Sequence, residues 1–247
     1  MIRHLLQLIW NQRKQNAWLW AELLLVSVFL WFLVDYLYVM GRTYTAPLGF
    51  DIRHTYSIVI SSLSERSPDY IPKEKRERPD GVHLLTALDR IRTYPGVESA
   101  CLTDGGMPYY MGSRNLVWRI DTLQVPCRYA FVTPEFFDVF RIYDKDGKTA
   151  SLKRAIEDNN SIVISADVET MNPGLSLLGQ KAYRGNVTDE IEETIRGISV
   201  PIRRHEYTKA EPNVYRALRL SRMEEGYYEG MIDAVRLCVR VRPDVDN

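Results

Sequence analysis

The chain has 247 residues, of which 45% are hydrophobic and 26% are charged, enough for one sizeable core or two small subdomains beyond an apolar N-terminal segment. Its 32 basic and 32 acidic residues cancel, so net charge argues neither for nor against a nucleic-acid surface, and we expect no nucleic-acid partner. Cys101, Cys127 and Cys238 are odd in number and widely spaced, which excludes a disulfide framework or a zinc pattern. We interpret them as three buried thiols; a single Cys101–Cys127 bridge in an oxidising compartment stays open as the alternative.

Residues 1–16 are predicted to form an amphipathic helix on the cytoplasmic side of a membrane. The apolar residues recur at helical spacing, at Ile2, Leu5, Leu6, Ile9 and Trp10. Such a helix would lie in the headgroup layer before the chain turns into the bilayer. The basic residues of this segment have no acidic residue beside them, which favours a cytoplasmic N-terminus.

Residues 17–40 are predicted to form a transmembrane helix. Glu22 and Asp35 are its only charged residues. A helix of this length reaches roughly 36 Å at about 1.5 Å per residue, which is enough to cross a hydrocarbon core of about 30 Å. A cleaved signal peptide is the rival interpretation, but its apolar region would be shorter, and TYTA at 43–46 is a poor cleavage site.

Both ends of the span carry polar and aromatic markers. Glu22 and Asp35 lie about one turn inside the apolar boundary and about 140° apart around the helix, so they do not share one stripe. We interpret Glu22 as reaching toward the headgroups; whether Asp35 does the same or pairs with a neighbouring helix stays open. The aromatic belt residues are Trp18 and Trp20 at one interface, and Tyr36 and Tyr38 at the other.

Residues 41–247 predict an α+β extracytoplasmic domain with βαβ-like units and two subdomains. Strand composition marks residues 56–63, 97–103, 115–121, 125–132, 161–168, 196–202 and 234–242. Helical patterns mark residues 82–94 and 133–142. The charged, proline-rich segment 64–81 is predicted to be a solvated loop.

Two of these elements carry more specific predictions. Thr133 is expected to cap helix 133–142, whose phenylalanines Phe136, Phe137 and Phe140 form a core stripe. In segment 234–242, apolar residues alternate with Cys238 and arginines, which predicts one buried face and one wet face.

Signatures of catalysis are missing from the sequence. It contains no GxxxxGK[ST] loop, no G-x-S-x-G elbow and no H-E-x-x-H pair, and its four histidines are not spaced for metal binding. We therefore predict a protein that is not an enzyme and that has no cofactor, no metal and no catalytic residues.

The order of several motifs resembles permeases of the MacB/FtsX type, over most of residues 17–242. YAFVTPEFFDVFRI at 129–142 is similar to the family's segment of strand, proline, paired aromatics and short helix. SIVISADVETMNPGLSLLGQKAY at 161–183 resembles its strand, helix and P-x-G-K-like turn, with Gly179 in the turn and Gln180 inserted before the lysine. RGISVPI at 196–202 and YPGVESACLT at 94–103 resemble the strand after that turn and an early helix–strand junction.

The resemblance implies a periplasmic core domain of an ABC-transporter permease in the bacterial inner membrane. It implies a separate ATP-binding subunit, a periplasmic adaptor or envelope partner, the lipid bilayer around the span, and a homodimer of the full-length protein. It also implies three further spans, so we expect this chain to be a fragment. The expected role is efflux or mechanotransmission; cargo and adaptor identity stay open. The alternative is a single-span, membrane-anchored extracytoplasmic sensor or binding domain.

Overall fold

The computed structural model describes residues 2–11, 17–61, 63–72, 75–110, 112, 114–185, 190–228 and 232–245. The chain forms two units, Met1–Ala46 and Pro47–Asn247. The first unit contains helices α1 (Ile2–Asn11) and α2 (Ala17–Thr45). Residues 12–16 of the predicted amphipathic helix lie outside the described residues.

Helix α2 is longer than the predicted span. It continues past residue 40 and through Gly41, and it ends at Thr45, whose hydroxyl donates a 3.0 Å hydrogen bond to the carbonyl of Gly41. At about 1.5 Å per residue, its 29 residues reach roughly 44 Å. The helix therefore exceeds the hydrocarbon thickness of about 30 Å by several turns.

The second unit is built from nine strands and five short or medium α-helices among the described residues. The helices are α3 (Asp80–Arg92), α4 (Phe136–Val139), α5 (Ala150–Ala155), α6 (Asp167–Met171) and α7 (Leu220–Glu224). The strands are β1 (Thr55–Ile58), β2 (Val97–Asp104), β3 (Asn115–Ile120), β4 (Leu123–Val132), β5 (Ser161–Ser165), β6 (Lys181–Arg184), β7 (Ile191–Ser199), β8 (Asn213–Ala217) and β9 (Val235–Val241). The predicted α+β class is confirmed.

Strands β1, β9 and β2 form one end of the sheet. Strand β9 pairs antiparallel with β1 on one edge and with β2 on the other. Strands β1 and β2 are therefore parallel to each other, and α3 connects them. The predicted βαβ-like unit exists in a split form, with β9 inserted between its two strands.

The other six strands form a closed ring. Each neighbouring pair is hydrogen-bonded, in the order β4, β3, β6, β7, β5 and β8, and β8 returns to pair with β4. Strand β4 also pairs with β2, so it joins the ring to the three-stranded end of the sheet. These two lobes belong to one compact unit, Pro47–Asn247, and the division of the domain into two subdomains stays a prediction.

Three buried clusters hold the two lobes together. The ring interior is filled by side chains from all six of its strands, including Trp118, Ile120, Val125, Ile162, Ala182, Ile195 and Val214. A second cluster lies between α3 and one face of β2 and β9. A third, centred on Phe136, Phe137 and Phe140, packs α4 against the opposite face of β2 and β9 and against the ring.

Strand β9 corrects one sequence prediction. Its apolar residues face α3, as the alternation predicts, but its other face is not wet. Cys238 is 1% exposed and Arg240 is 4% exposed, because α4 covers that face of the strand. The pattern of alternation cannot report a covering helix that lies far away in the chain.

The segment 133–142 is helical only between Phe136 and Val139, and the predicted cap is wrong. Residue Glu135 occupies the position before the helix, without a side-chain cap hydrogen bond. The hydroxyl of Thr133 instead accepts a 3.1 Å hydrogen bond from the backbone N–H of Leu102 on β2. Thr133 therefore joins α4 to the sheet rather than starting a long helix.

Candidate functional site: the apolar helix and the connecting segment

Helix α2 presents an apolar surface on every side. None of its residues is buried, and large side chains such as Trp31 and Phe29 are 71% and 62% exposed. Among the described residues it is the one helix long and apolar enough to cross a membrane. A helix that is hydrophobic all round needs either a protein core or lipid around it.

The predicted markers of the span all lie on the exposed surface of α2. Glu22 and Asp35 are exposed. The aromatic residues are exposed too: Trp18 at 78%, Trp20 at 59%, Tyr36 at 51% and Tyr38 at 65%. Their positions near the two ends suit interfacial anchoring, and their roles in a membrane stay predictions.

The chain enters the second unit through residues 47–53, here called the connecting segment. Its backbone is fixed to the domain by hydrogen bonds at two points. The N–H of Arg203 donates to the carbonyl of Leu48 at 3.0 Å, and the N–H of Asp51 donates to the carbonyl of Phe140 at 2.8 Å. The segment is thus bound to α4 and to the chain after β7 within a few residues of its start.

The side chain of Arg240 makes the strongest attachment. Its Nε donates to the carbonyl of Val139 at 2.6 Å, Nη1 to that of Arg53 at 2.9 Å, and Nη2 to that of Asp51 at 2.5 Å. One buried guanidinium therefore joins β9, the end of α4 and the connecting segment. A cation also suits the carbonyls that a helix leaves unpaired at its C-terminus.

The local charges are consistent with this arrangement. Burial lowers the pKa of Arg240, and the nearby Arg141 guanidinium lowers it further, while the Asp51 carboxylate opposes both. The Arg53 side chain donates to the Asp51 carboxylate and lowers the pKa of Asp51. The connecting segment thus brings a carboxylate, kept ionised by Arg53, close to the buried Arg240.

Backbone geometry makes Gly49 a requirement of the connecting segment. Gly49 has φ +83°, in the left-handed region that favours glycine. A Cβ built at this position would lie 2.1 Å from the carbonyl oxygen of Pro201. Only glycine lets the segment approach the domain backbone so closely. The next residue, Phe50, packs edge-on against Tyr109 with ring centroids 5.8 Å apart.

The residues of the family-like motifs lie in two places. Phe136, Phe137 and Phe140 are at most 2% exposed and pack on one another and on Tyr215. They hold α4, and the carbonyl of Phe140, directly after α4, accepts from the N–H of Asp51 in the connecting segment. Gly179 lies on the connection to β6, where its N–H donates to the carbonyl of Ile195 at 2.8 Å.

Sequence reasoning missed Arg240 and Gly49. The available signals were an arginine near the end of an apolar strand and a glycine in PLGF directly after the apolar helix.

The prediction for the cysteines is supported in part. Cys101, Cys127 and Cys238 are buried free thiols, and the strand pairing places Cys101 opposite Cys238 rather than opposite Cys127. Among the described residues, no group of three or more His, Cys, Asp or Glu side chains could hold a metal ion.

The comparisons with known proteins concern the fold. No family model and no curated protein matches the sequence. The solved structures that are similar include the following three. A domain assigned to a permease protein from Porphyromonas gingivalis has a TM-score of 0.45 and 20% identity, over 64% of this chain and 61% of that one. The chain thus spans less than two thirds of that domain.

The other two similar structures cover more of the chain. The periplasmic region of MacB from Actinobacillus actinomycetemcomitans has a TM-score of 0.43 and 9% identity, over 82% of this chain and 81% of that one. The extracellular domain of the noncanonic ABC-type transporter YknZ from Gram-positive bacteria has a TM-score of 0.43 and 11% identity, over 77% and 85%.

Proposed function

We propose that this chain is the membrane-anchored, extracytoplasmic part of an ABC-transporter permease of the MacB/FtsX type. Helix α2 spans the bacterial inner membrane, and Pro47–Asn247 lies outside the cytoplasm. A separate ATP-binding subunit moves the helix, and the domain passes that motion to an adaptor or envelope partner. The domain does no chemistry of its own, and two full-length copies pair about a two-fold axis.

One observation carries the proposal. An apolar helix with no buried residue is followed, two residues after its end, by a segment whose backbone carbonyls and N–H groups are fixed to the domain. A domain that only needed to be held near a membrane could hang on a loose linker. A segment bound at Leu48, Asp51 and Arg53 is suited to transmitting displacement instead.

The membrane anchor is tested by expressing the full chain in a bacterial host. We expect the chain to stay in the membrane fraction after alkaline carbonate extraction. Added protease should digest the domain only once the outer membrane is permeabilised. Phe29→Arg places a charge near the helix centre and should reduce insertion by about 2.5 to 3.5 kcal/mol, whereas Phe29→Leu should insert normally. Recovery of the unaltered chain as a soluble cytoplasmic protein would refute the anchor.

The coupling is tested in the native host, with the chain tagged in its full-length gene product. We expect a P-loop ATPase to copurify in detergent. Replacing residues 41–46 by a Gly/Ser linker of equal length should keep the ATPase bound but fail to restore the phenotype of a gene deletion. The matched control places the same linker over residues 64–69, in a loop outside the connecting segment. Full complementation by the 41–46 variant would rule out stiff coupling.

The gene itself separates this proposal from a single-span sensor or binding domain. Three further apolar segments of about 20 residues after codon 247, with a neighbouring ATPase gene, support the permease. A stop codon or a cytoplasmic signalling domain supports the alternative.

A further inference from the structure

A polar cavity of about 300 Å³ lies where the ring of strands meets the three-stranded end of the sheet. Its wall is formed by the last residue of β2, by β4, β6, β7 and β8, and by α7 with the turn that follows it. This volume is at the lower end of the range of small-molecule sites. Among the described residues, none of the connecting segment lines this cavity.

The described residues that line this cavity carry an excess of positive charge. Five are arginines: Arg114, Arg184, Arg216, Arg219 and Arg222. Two are carboxylates, Asp104 and Glu193, which leaves an excess of three positive charges. A concave site lined by one sign of charge raises the local concentration of ions of the opposite sign.

Both carboxylates already have their partners. Asp104 accepts a 2.5 Å hydrogen bond from Nη1 of Arg114. Glu193 is 1% exposed and accepts from Nε of Arg216 at 2.7 Å and from Nε1 of Trp118 at 3.2 Å. These pairs fix the floor of the cavity and do not neutralise its other cations.

Arg184 and Arg216 share the Glu193 carboxylate, so the cations that have no carboxylate partner among the described residues are Arg219 and Arg222 at the rim. Within the part of the chain that the structure describes, neither guanidinium forms an ion pair with a carboxylate. Arg222 lies over the ring of Tyr227, 5.2 Å from its centroid, which leaves its N–H groups able to bind an acceptor. Burial lowers the pKa of Arg216, the paired Glu193 carboxylate opposes this shift, and the nearby charges of Arg184 and Arg219 add to it.

One wall of the cavity is aromatic. Tyr228 is 7% exposed, and burial raises its pKa to about 12, so its hydroxyl is a neutral donor at physiological pH. Phe131 lies under the guanidinium of Arg216, 5.0 Å from its charge centre. The site thus combines guanidinium and hydroxyl donors with apolar surface. Arginine forks match the paired oxygens of carboxylate and phosphate groups.

We propose that this cavity binds a small organic anion with at least two negative charges, held by Arg219 and Arg222 at the rim, beside the paired Arg114 and Arg216. Phosphate and carboxylate groups share the required chemistry, so the test uses both. The aromatic wall receives the carbon skeleton of the ligand, and the Tyr228 hydroxyl donates to it.

Isothermal titration of the full chain in detergent tests the site, with phenyl phosphate and citrate as probes at fixed ionic strength. We expect saturable binding of at least one probe to the unaltered chain. Arg219→Gln with Arg222→Gln should weaken it tenfold or more, because both changes remove cations that contact the ligand. The matched control, Arg90→Gln with Arg154→Gln, removes the same charge from two exposed positions elsewhere and should leave the affinity within twofold.

Each result of the titration either supports the proposed anion site or overturns it. Loss of binding in the cavity variant alone supports the site, and the preferred probe then distinguishes phosphate from carboxylate recognition. Equal weakening in both double variants would show nonspecific attraction and overturn the proposal. Absence of saturable binding of either probe up to 10 mM would overturn it too. Arg219 and Arg222 are partly or fully exposed, so unchanged far-ultraviolet circular dichroism should show that both variants fold.

Discussion

Replacing Arg240 by methionine should weaken the attachment of the connecting segment without unfolding the sheet. The guanidinium donates three hydrogen bonds, to the carbonyls of Val139, Arg53 and Asp51. Hydrogen bonds from charged donors contribute about 1.5 to 3 kcal/mol each. Methionine keeps the apolar stem but leaves the three carbonyls without this donor, and it also removes the cost of burying a charge. We therefore expect a net destabilisation of about 3 kcal/mol, less than the sum of the three bonds.

The assay has a global and a local readout. For a domain of this size, about 3 kcal/mol corresponds to a fall in melting temperature of roughly 6 to 12 °C. Hydrogen exchange at the N–H of Asp51, which is bonded to the carbonyl of Phe140, should accelerate by about a hundredfold or more. Arg240→Lys keeps the charge but not the planar fork, and should lose about half as much stability.

A matched control lies directly after the strand. The Arg242 side chain is exposed and donates one hydrogen bond, to the carbonyl of Pro95, so Arg242→Ala should lower stability by no more than about 1 kcal/mol. Unchanged melting and unchanged exchange at Asp51 in Arg240→Met would show that the buried guanidinium does not fix the connecting segment. The connecting segment would then not be stiff enough to transmit displacement as proposed.

Three further predictions address the domain. Native protein at pH 8 should react slowly with a thiol reagent and react at three thiols after unfolding, since burial raises the pKa of Cys127 to about 12. Burial of Asp144 opposes its ionisation, but hydrogen bonds from a neighbouring hydroxyl and two backbone N–H groups lower its pKa. The ionised carboxylate therefore stabilises the fold fully above the unfolded pKa, and this effect is lost as pH falls through the folded pKa. In urea unfolding, the free energy of unfolding of Asp144→Asn should lie below that of wild type at pH 7 and converge with it near pH 2. Gly49→Ala should lower the free energy of unfolding by at least about 2 kcal/mol, because its Cβ would meet the Pro201 carbonyl. Gly147 also has a positive φ but lies in open space, so Gly147→Ala should lower that free energy by about 1 kcal/mol. Equal melting temperatures for the two variants would contradict this prediction.

The features with a strong local signal were predictable from sequence. The apolar run of α2, the leucine stripe of α3 and the hairpin of β3 and β4 all follow periodicity, and the structure has each of them. Strand β8 was missed because its five residues, NVYRA, show no alternation. It is stabilised by pairing on both sides, parallel with β4 and antiparallel with β5, which is a long-range property.

Part of the candidate site could also be predicted from the sequence, and part could not. The apolar helix could be recognised from composition alone, but the role of Arg240 could not. Its acceptor Val139 lies 101 residues earlier in the chain, and its acceptors in the connecting segment lie almost 190 residues earlier. An arginine in an alternating strand predicts solvent on that face unless the packing of α4 is known.

Strand β9 extends from the arginine-rich cavity to the connecting segment. Arg240, near its C-terminal end, holds the connecting segment, and Ala234, directly before its first residue, lines the arginine-rich cavity. The strand is paired along both edges, with β1 and with β2, so its two ends cannot shift independently without breaking a ladder of backbone hydrogen bonds. The six residue steps from Ala234 to Arg240, at about 3.3 Å each, separate the cavity from the anchor by roughly 20 Å. If the proposed coupling holds, a displacement imposed at the connecting segment should move β9 and the cavity wall together with the three-stranded lobe, and should change ligand contacts at Arg219 and Arg222, which lie off the strand.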